Sequence, residues 1–211
     1  MILYDMKLAP NPRRVRIFMA EKGITNIKKV EINIAEGENL GADYLKINPR
    51  GLLPTLVLDD GTCLDESVAI CRYLEELYPE PNLLGKTALE KASIEAVQRH
   101  IEFDGFLPLA DVFRSSVPFF SRRAIPGLPA EFPSIPALTK RSEKRFLMFL
   151  DNFNALLNGQ AFVAGDRFSI ADITALCTID FARTVKIRLS DEHKGALRWY
   201  QQVSSRESIS A

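Results

Sequence analysis

The sequence has little from which a metal centre or a disulfide framework could be built. It contains three cysteines and two histidines among 211 residues. Cys63, Cys71 and Cys177 are widely spaced and form no CxxC pair, and His100 and His193 lie far apart in the chain. These spacings match neither zinc sites nor disulfide scaffolds. We therefore expect no metal, and a reducing, cytoplasmic compartment is the simplest expectation.

The sequence also lacks an excess of charge of either sign and any long apolar run. Lys plus Arg and Asp plus Glu both number 27, so the net charge is zero and the basic footprint of a nucleic-acid-binding protein is missing. No apolar run reaches the roughly 18 residues of a membrane span, and the N-terminal segment has no cationic start before an apolar core. We therefore expect no nucleic-acid partner, no membrane partner and no secretory signal.

The first eighty residues of the sequence show alternating strand and helix signals. Short apolar segments predict strands over residues 2–5, 27–32, 55–58 and 62–64. Apolar residues at helical spacing predict helices over residues 13–23 and 67–78, with a short helix in the polar stretch between them. The order is β-α-β-α-β-β-α, in which the β-α-β unit requires a parallel strand pair and the Asp60-Gly61 turn predicts an antiparallel hairpin.

A stretch rich in proline and glycine, residues 79–85, separates two parts of the chain whose sequence patterns differ. Beyond it the strand signals vanish, and twelve of the thirteen phenylalanines follow residue 100. Helices are predicted over residues 86–116 with a kink at Pro108, and over 138–157, 169–186 and 197–208. We therefore predict an α/β domain over residues 1–80, a linker over 81–87 and an all-α domain over 88–211.

Two short segments of the first domain are candidates for binding a peptide-like ligand. A cis Leu53-Pro54 bond would turn the Leu53 backbone N–H and C=O outward; a trans proline that merely opens the strand is the alternative, and the residues leave this open. Glu66 and Ser67 stand at the start of a predicted helix, where free N–H groups and the positive end of the helix dipole attract carboxylates. An ordinary N-cap is the alternative there.

Two helix starts are predicted from capping residues. Asn11 before Pro12 is typical of an N-cap followed by proline at the first helical position, and the arginines that follow are expected to be solvated on the helix surface. Ser169 and Asp172 have the spacing of a capping box and are interpreted as structural.

Four stretches, taken in their order and spacing, resemble the cytosolic glutathione transferase family, and the resemblance spans the chain. They read PNPRRVRIFMAEKGI, INPRGLLPTLVLDDG, DESVAICRYLEELYP and FVAGDRFSIADITAL. The resemblance implies a thioredoxin-like glutathione-binding domain followed by a helical domain, with glutathione as the co-substrate. It also implies a homodimer, in which Asp104 would reach across to a glutamyl ammonium.

The same resemblance implies which residues hold glutathione. Leu53-Pro54 would be the family's cis bond, with the Leu53 backbone paired to the cysteinyl part. Glu66 and Ser67 would hold the γ-glutamyl end. Asn39 falls where members of the family often place a polar or basic residue for the glycyl carboxylate.

At one position the chain departs from the family pattern. Relatives with this N-terminal pattern commonly read Ser-Pro-Asn, where this chain reads Ala9-Pro10-Asn11. Because alanine has no donor, Asn11 is the nearest side chain able to stabilise a glutathione thiolate, and it is our candidate catalytic residue. The acceptor pocket is expected between the domains, against Ala9, Pro10, Phe103, Phe106 and Phe113.

The resemblance implies a glutathione transferase that conjugates the glutathione thiolate to small hydrophobic electrophiles. One alternative is a glutathione-dependent disulfide or peroxide reductase. The other is a glutathione-binding protein without turnover, which Ala9 favours. Leu53, Pro54, Glu66 and Ser67 argue against that last alternative, because a pure scaffold has no need of a glutathione site.

Overall fold

A four-stranded sheet forms the centre of the N-terminal part in the computed structural model, which describes residues 1–128 and 130–211. Its strands are β1 (Ile2–Asp5), β2 (Lys28–Glu31), β3 (Thr55–Val57) and β4 (Cys63–Asp65). The strand order is β2-β1-β3-β4. β1 runs parallel to β2 and antiparallel to β3, and β3 and β4 form the antiparallel hairpin. Leu3 pairs in register with Leu56, and both are fully buried, so this pair marks the core of the sheet.

Three helices complete the N-terminal part. They are α1 (Pro10–Glu21), α2 (Ala42–Ile47) and α3 (Ser67–Leu77). α1 packs against α3 and buries Val15 and Phe18, the apolar positions that predicted this helix. The order β-α-β-α-β-β-α is the one predicted, and the thioredoxin-like α/β fold class is confirmed.

Helices make up most of the described part of the chain after residue 87, as predicted. Its helices are α4 (Ala88–His100), α5 (Leu107–Ser116), α6 (Pro136–Leu157), α7 (Ile170–Ala182) and α8 (Lys194–Ser204). α7 is almost entirely buried and begins at the predicted capping box of Ser169 and Asp172. The Asp172 carboxylate also accepts a hydrogen bond from Trp199 Nε1 at 2.8 Å, so the residue that starts α7 also fixes α8 against it.

A π-helical segment, Ile101–Phe106, joins α4 to α5. There the Leu107 N–H bonds to the carbonyl of Glu102, five residues earlier. Pro108 has no N–H to donate to the carbonyl four residues before it, and its ring would crowd that carbonyl in a regular α-helix. The disturbance predicted at Pro108 therefore takes the form of a wide turn just before it.

A buried ion pair connects α1, α3 and the segment that leaves α3. Lys22 Nζ lies 2.6 Å from Glu75 Oε2, with no side-chain exposure on Lys22, and it donates to the carbonyls of Tyr78 and Pro81. Glu75 Oε1 accepts from the Leu83 N–H at 3.0 Å. The start of the helical part is therefore held directly against the N-terminal part.

None of the helices described for residues 1–128 and 130–211 is long and apolar enough to cross a membrane.

Candidate active site

A cavity of about 390 Å³ opens where α1 and α3 of the N-terminal part meet α4 and the π-helical segment. Five of the residues predicted to form the site line it: Asn11, Glu66, Ser67, Phe103 and Phe106. Most of its other lining residues are charged or flank these, namely Arg14, Val68, Ala69, Arg72, Glu95, Arg99, Glu102 and Leu107. The cavity thus brings the start of two helices together with a charged and partly aromatic helix face.

The start of α1 differs from the prediction. The N-cap is Ala9, not Asn11, and it makes no side-chain cap. Pro10 takes the first helical position because its fixed φ suits the helix and its missing N–H costs nothing there. The prediction of Asn11 as N-cap is therefore wrong, and the Asn11 amide is not engaged in capping.

Asn11 is the one residue of the first turn of α1 that can offer a backbone N–H. Pro10 and Pro12 have none, and the Arg13 N–H already bonds to the Ala9 carbonyl at 3.1 Å. Within the described part of the chain, neither the Asn11 N–H nor its side-chain amide has a hydrogen-bond partner. Both donors therefore stand at the positive end of the α1 dipole, beside the cavity.

The start of α3 has an unusual backbone. Glu66, the residue before the helix, has φ 64° and ψ 115°, a conformation that is rare for a residue other than glycine and is often held in place at functional sites. Its carboxylate is largely exposed and lies 2.8 Å from Arg50 Nη1. Ser67 is buried at the first helical position, and its hydroxyl accepts a hydrogen bond from Arg14 Nη1 at 2.7 Å.

Arg14 is one site residue that sequence reasoning missed. It was expected to be solvated, yet its side chain is only 2% exposed, because it lies under the cavity and bonds Glu102 Oε1 at 3.0 Å. Arg99 Nη2 holds the other oxygen of Glu102 at 2.8 Å. Arg14 Nε is buried without a hydrogen-bond partner among the described residues. Such an unsatisfied donor can donate a hydrogen bond to a bound anion.

The other two arginines of α1 are also engaged within the fold. Arg16 pairs with buried Asp5, and Arg13 Nη1 lies 2.6 Å from Asp180 Oδ2 on α7. The expectation that the arginines at the start of α1 are solvated is therefore wrong, because each reaches a carboxylate.

The Leu53-Pro54 bond is cis, the isomer that the resemblance implied. The neighbouring Leu52 carbonyl accepts from the Tyr44 hydroxyl and from Asn48 Nδ2. By contrast, the Leu53 backbone N–H and C=O have no hydrogen-bond partner in residues 1–128 and 130–211. Leu53 and Pro54 do not line the 390 Å³ cavity.

Asn39 and Asp104 lie apart from the cavity that holds Asn11. Asn39 is buried, and its Nδ2 donates to the Gly51 carbonyl at 2.8 Å. Asp104 is exposed and lines a second cavity of about 470 Å³ between the π-helical segment and α6, where Arg145 lies 3.4 Å away.

The predicted acceptor residues divide between the cavity and a row of aromatic rings. Phe103 is half-exposed and lines the cavity together with Phe106. From Phe106 the row continues to Phe181 at 5.8 Å and from there to Phe113 at 4.8 Å. Phe113 lies 5.2 Å from Phe120. Ala9 and Pro10 are half-buried and do not line the cavity.

Sequence reasoning also missed Phe120 and Phe181. The repeated Phe119-Phe120 pair after α5 was the available signal for the first. No local sequence pattern pointed to Phe181, because it reaches the row from α7, which is far along the chain from Phe106 and Phe113.

The three cysteines are not among the described residues that line this cavity. Cys63 is exposed on β4, whereas Cys71 and Cys177 are buried. Burial raises the pKa of the Cys177 thiol to about 11 and raises that of Cys71 further above its ordinary value. Neither buried thiol is therefore suited to nucleophilic chemistry at neutral pH.

Comparison with known proteins covers both parts of the chain. Residues 9–77 match the family model of the glutathione S-transferase N-terminal domain, and residues 138–207 match that of the glutathione S-transferase C-terminal domain. Glutathione S-transferase 2 of Saccharomyces cerevisiae is 34% identical over 210 residues, which cover 99% of this chain and 88% of that protein. Glutathione S-transferase GstA of Escherichia coli O157:H7 is 31% identical over 172 residues, 80% of this chain and 76% of that protein.

Solved structures agree with this assignment along the whole chain. The crystal structure of Gtt2 from Saccharomyces cerevisiae superposes with a TM-score of 0.90 at 33% identity, covering 100% of this chain and 99% of that one. A Gtt2-class glutathione S-transferase of Vibrio parahaemolyticus gives a TM-score of 0.84 at 33% identity, covering 100% and 96%. The chain therefore belongs to the glutathione S-transferase family.

Proposed function

We propose that this glutathione S-transferase binds glutathione between α1, Leu53 and the start of α3, and transfers its thiolate to small hydrophobic electrophiles. The observation that carries the proposal is the pair of free donors on Asn11 beside a cavity that also contains Glu66 and Ser67. The proposed cellular setting is the cytoplasm, and the proposed partners are glutathione, the electrophile and a second copy of the chain.

The γ-glutamyl end of glutathione carries a carboxylate and an ammonium. The carboxylate would meet the Ser67 hydroxyl and the N–H groups at the start of α3, where the helix dipole favours negative charge. Arg14, already bonded to Ser67 at 2.7 Å, adds a positive charge and an unsatisfied buried Nε. The Glu66 carboxylate would take the ammonium. The charges of this corner are therefore complementary to those of an amino-acid head group.

The rest of glutathione would lie along the segment before Pro54. The unpaired N–H and C=O of Leu53 can bond to the cysteinyl backbone as one further strand would. Asn39 is proposed to contact the glycyl carboxylate. One Nδ2 hydrogen of Asn39 is occupied by the Gly51 carbonyl, which leaves the second for this contact.

Activation of the thiol requires little free energy. A free thiol has a pKa of about 8.5, so about 3% is ionised at pH 7, and lowering that pKa by two units needs about 2.7 kcal/mol. A hydrogen bond to a charged group supplies about 1.5–3 kcal/mol, and a partly buried helix terminus up to ~2 kcal/mol. The Asn11 donors and the α1 dipole together suffice without a serine at position 9.

The transfer step is then a displacement on carbon. The glutathione sulfur donates its electron pair to the electrophilic carbon, a new S–C bond forms, and the leaving group departs with the electron pair of the bond that breaks. The protein contributes the ionised thiol and the proximity of the two reactants. Phe103 and Phe106 would cover the apolar part of the acceptor, next to Ala9, Pro10 and Phe113.

A homodimer gives Asp104 a role. Asp104 does not line the Asn11 cavity of its own chain, so it can reach a glutamyl ammonium only across an interface. The second cavity is rimmed by the exposed apolar side chains of Met148 and Leu156, which a second copy would cover. We propose this face as the dimer interface.

The experiment is retention on immobilised glutathione, followed by assays with chlorodinitrobenzene and with hydroxyethyl disulfide. We expect glutathione-eluted protein that is active on the aryl halide and much less active on the disulfide, because no cysteine is among the described residues that line the cavity, so none is there to form a mixed disulfide. Ser67→Ala should weaken retention, whereas Ser93→Ala, on the exposed face of α4, should not. Failure to bind glutathione would contradict the proposal, and activity on the disulfide alone would replace it with the reductase.

A further inference from the structure

A long connection leaves α5 and crosses to the N-terminal part before α6 begins. We call it the strap: residues 117–128 and 130–135. Its two limbs are joined by backbone hydrogen bonds between Phe132 and both Arg122 and Ala124, at 2.8 and 2.9 Å. At its tip, Gly127 packs so tightly on the Arg50 carbonyl that a Cβ would come within 2.1 Å of it and within 3.0 Å of Leu52 Cδ2. The strap is therefore anchored next to Leu53.

The inner part of the strap carries two phenylalanines, each paired with an arginine. The Arg114 guanidinium, at the end of α5, lies 5.0 Å from the ring centre of Phe120. The Arg123 guanidinium lies 4.9 Å from the ring centre of Phe119, and the two rings meet edge to face at 4.8 Å. Arg114 Nη1 also donates to the Arg123 carbonyl at 2.8 Å, so the four side chains form one wall.

This wall continues the aromatic row that begins at the cavity. Phe106 lines the cavity, and the row runs through Phe181 and Phe113 to Phe120. Arg114 follows Leu107, another lining residue, by seven positions, so both lie on the same face of the helix. Arg114 and Arg123 lie at the end of this row that is farther from the cavity, against Phe120 and Phe119, and they are not among the cavity's described lining residues.

Both arginines lack a carboxylate partner. Among the described residues, neither has an Asp or Glu oxygen within ion-pairing distance, whereas the adjacent Arg122 is paired with Glu131. Burial lowers the pKa of Arg114 from its ordinary value, and no acid opposes this effect. Arg114 Nε and Nη2, the two donors of its side-on fork, have no hydrogen-bond partner in the described structure. That fork matches a carboxylate.

We propose that Arg114, supported by Arg123, selects aromatic electrophiles that carry a carboxylate, with the aryl ring against Phe113 and Phe120. This rests on the proposed glutathione transfer, because the acceptor is its second substrate. With an aryl chloride the glutathione sulfur forms the bond to the ring carbon, and chloride leaves with the electron pair of the C–Cl bond. The carboxylate takes no part in the bond changes and serves as the handle that orients the ring.

The test compares two acceptors that differ in one substituent, which is a charged carboxylate in one and a neutral carboxamide in the other. One is a chlorodinitrobenzoate with chloride para to the carboxylate, and the other is the corresponding chlorodinitrobenzamide. Each kcat/KM is divided by the rate constant of the uncatalysed reaction with glutathione. We expect the wild-type protein to favour the carboxylate by about tenfold, the size of one charge-assisted hydrogen bond.

Substitutions separate recognition from a structural role. Arg114→Gln should lower the carboxylate-to-amide ratio about tenfold and leave the glutathione KM unchanged, while the control Arg122→Gln should leave the ratio as it is. If Arg114 only fastened the strap, both acceptors would lose rate equally and the ratio would not move. Should Arg114→Gln fail to fold, Arg123→Gln takes its place, with an expected fall of about threefold.

Calorimetry measures how tightly the protein binds the two glutathione conjugates. Because this binding needs no turnover, it tests the inference independently of the proposed transfer reaction. If the carboxylate conjugate binds more tightly than the amide conjugate and Arg114→Gln removes the difference, the inference is supported even if neither acceptor is turned over. The missing turnover would then count against the proposed transfer reaction alone. A wild-type ratio near one in both rate and binding, or no binding of either conjugate, would overturn the inference.

Discussion

At the residue scale, Arg14 shows how the site holds a buried cation. The cost of removing its charge from water is offset by Glu102 at 3.0 Å and Ser67 at 2.7 Å. Among the described residues its Nε has no hydrogen-bond partner, and this is the donor that the carboxylate of a bound γ-glutamyl group would satisfy. Breaking a buried pair leaves the other charge uncompensated, which is why such residues tolerate substitution poorly.

Arg14→Gln should therefore lower the free energy of unfolding by about 3 kcal/mol, the lower end for a broken buried pair, because Glu102 keeps Arg99. It should also raise the glutathione KM more than it lowers kcat. Urea unfolding and steady-state kinetics measure the two effects. Arg72→Gln is the control, since Arg72 lines the same cavity with half its side chain exposed. An unfolding free energy equal to that of the wild type would contradict the role given to Arg14.

Part of the site could be predicted at this scale and part could not. Ser67 stands next to the apolar pattern that predicts α3, so its place at a helix start can be derived locally. Arg14 could not be found in this way, because Glu102 lies 88 residues further along the chain. The error at Asn11 has a local cause: two prolines compete for the first helical position, and the sequence does not show which one takes it.

At the element scale, the π-helical segment shapes both cavities. It turns Phe103 and Phe106 towards the Asn11 cavity and Asp104 towards the cavity beside α6. The close approach to α6 depends on Gly105, because a Cβ there would lie 2.8 Å from Phe149 Cε1. A continuous helix over 86–116 could be predicted from spacing. The wide turn could not be predicted. Pro108 shows that the helical hydrogen bonding must change nearby, but it does not show at which residues.

Gly105→Ala should destabilise the protein by about 1–3 kcal/mol, the usual cost of overpacking a well-filled core. It should also alter the acceptor KM, because the π-helical segment must move away from α6. Thermal unfolding and kinetics are the measurements. Gly159→Ala, where no atom lies within 4 Å of the new Cβ, should change stability by less than ~0.5 kcal/mol. Relief of the Gly105→Ala defect by Phe149→Leu would support the contact, whereas equal stability of both alanine variants would refute it.

At the scale of the whole molecule, the two parts of the chain are tied by polar contacts between distant residues. Lys22 and Glu75 fix the connecting segment, and Arg13 reaches Asp180 on α7. Near the C-terminus, Arg206 forms two hydrogen bonds of 2.7 Å with Glu21. These ties hold α1, and with it Asn11, in a fixed position against the helical part.

The division of the chain into an α/β part and a helical part could be predicted from the sequence, because the strand signals end after residue 79. The ties across that division could not be predicted, because their partners lie far apart in the sequence. The boundaries of the domains and linker, 1–80, 81–87 and 88–211, stay predictions.

The most direct test of thiol activation at the start of α1 is the pKa of glutathione bound to the protein, from the ultraviolet absorbance of the thiolate as a function of pH. We predict about 6.5 in the wild-type protein, about two units below the free thiol. Asn11→Ala should raise it by at least about one unit, shifting the rise of activity to higher pH, whereas Asn26→Ala, at an exposed position, should not. A bound thiol with a pKa of about 8.5, or a bound-thiol pKa that Asn11→Ala leaves unchanged, would contradict this mechanism.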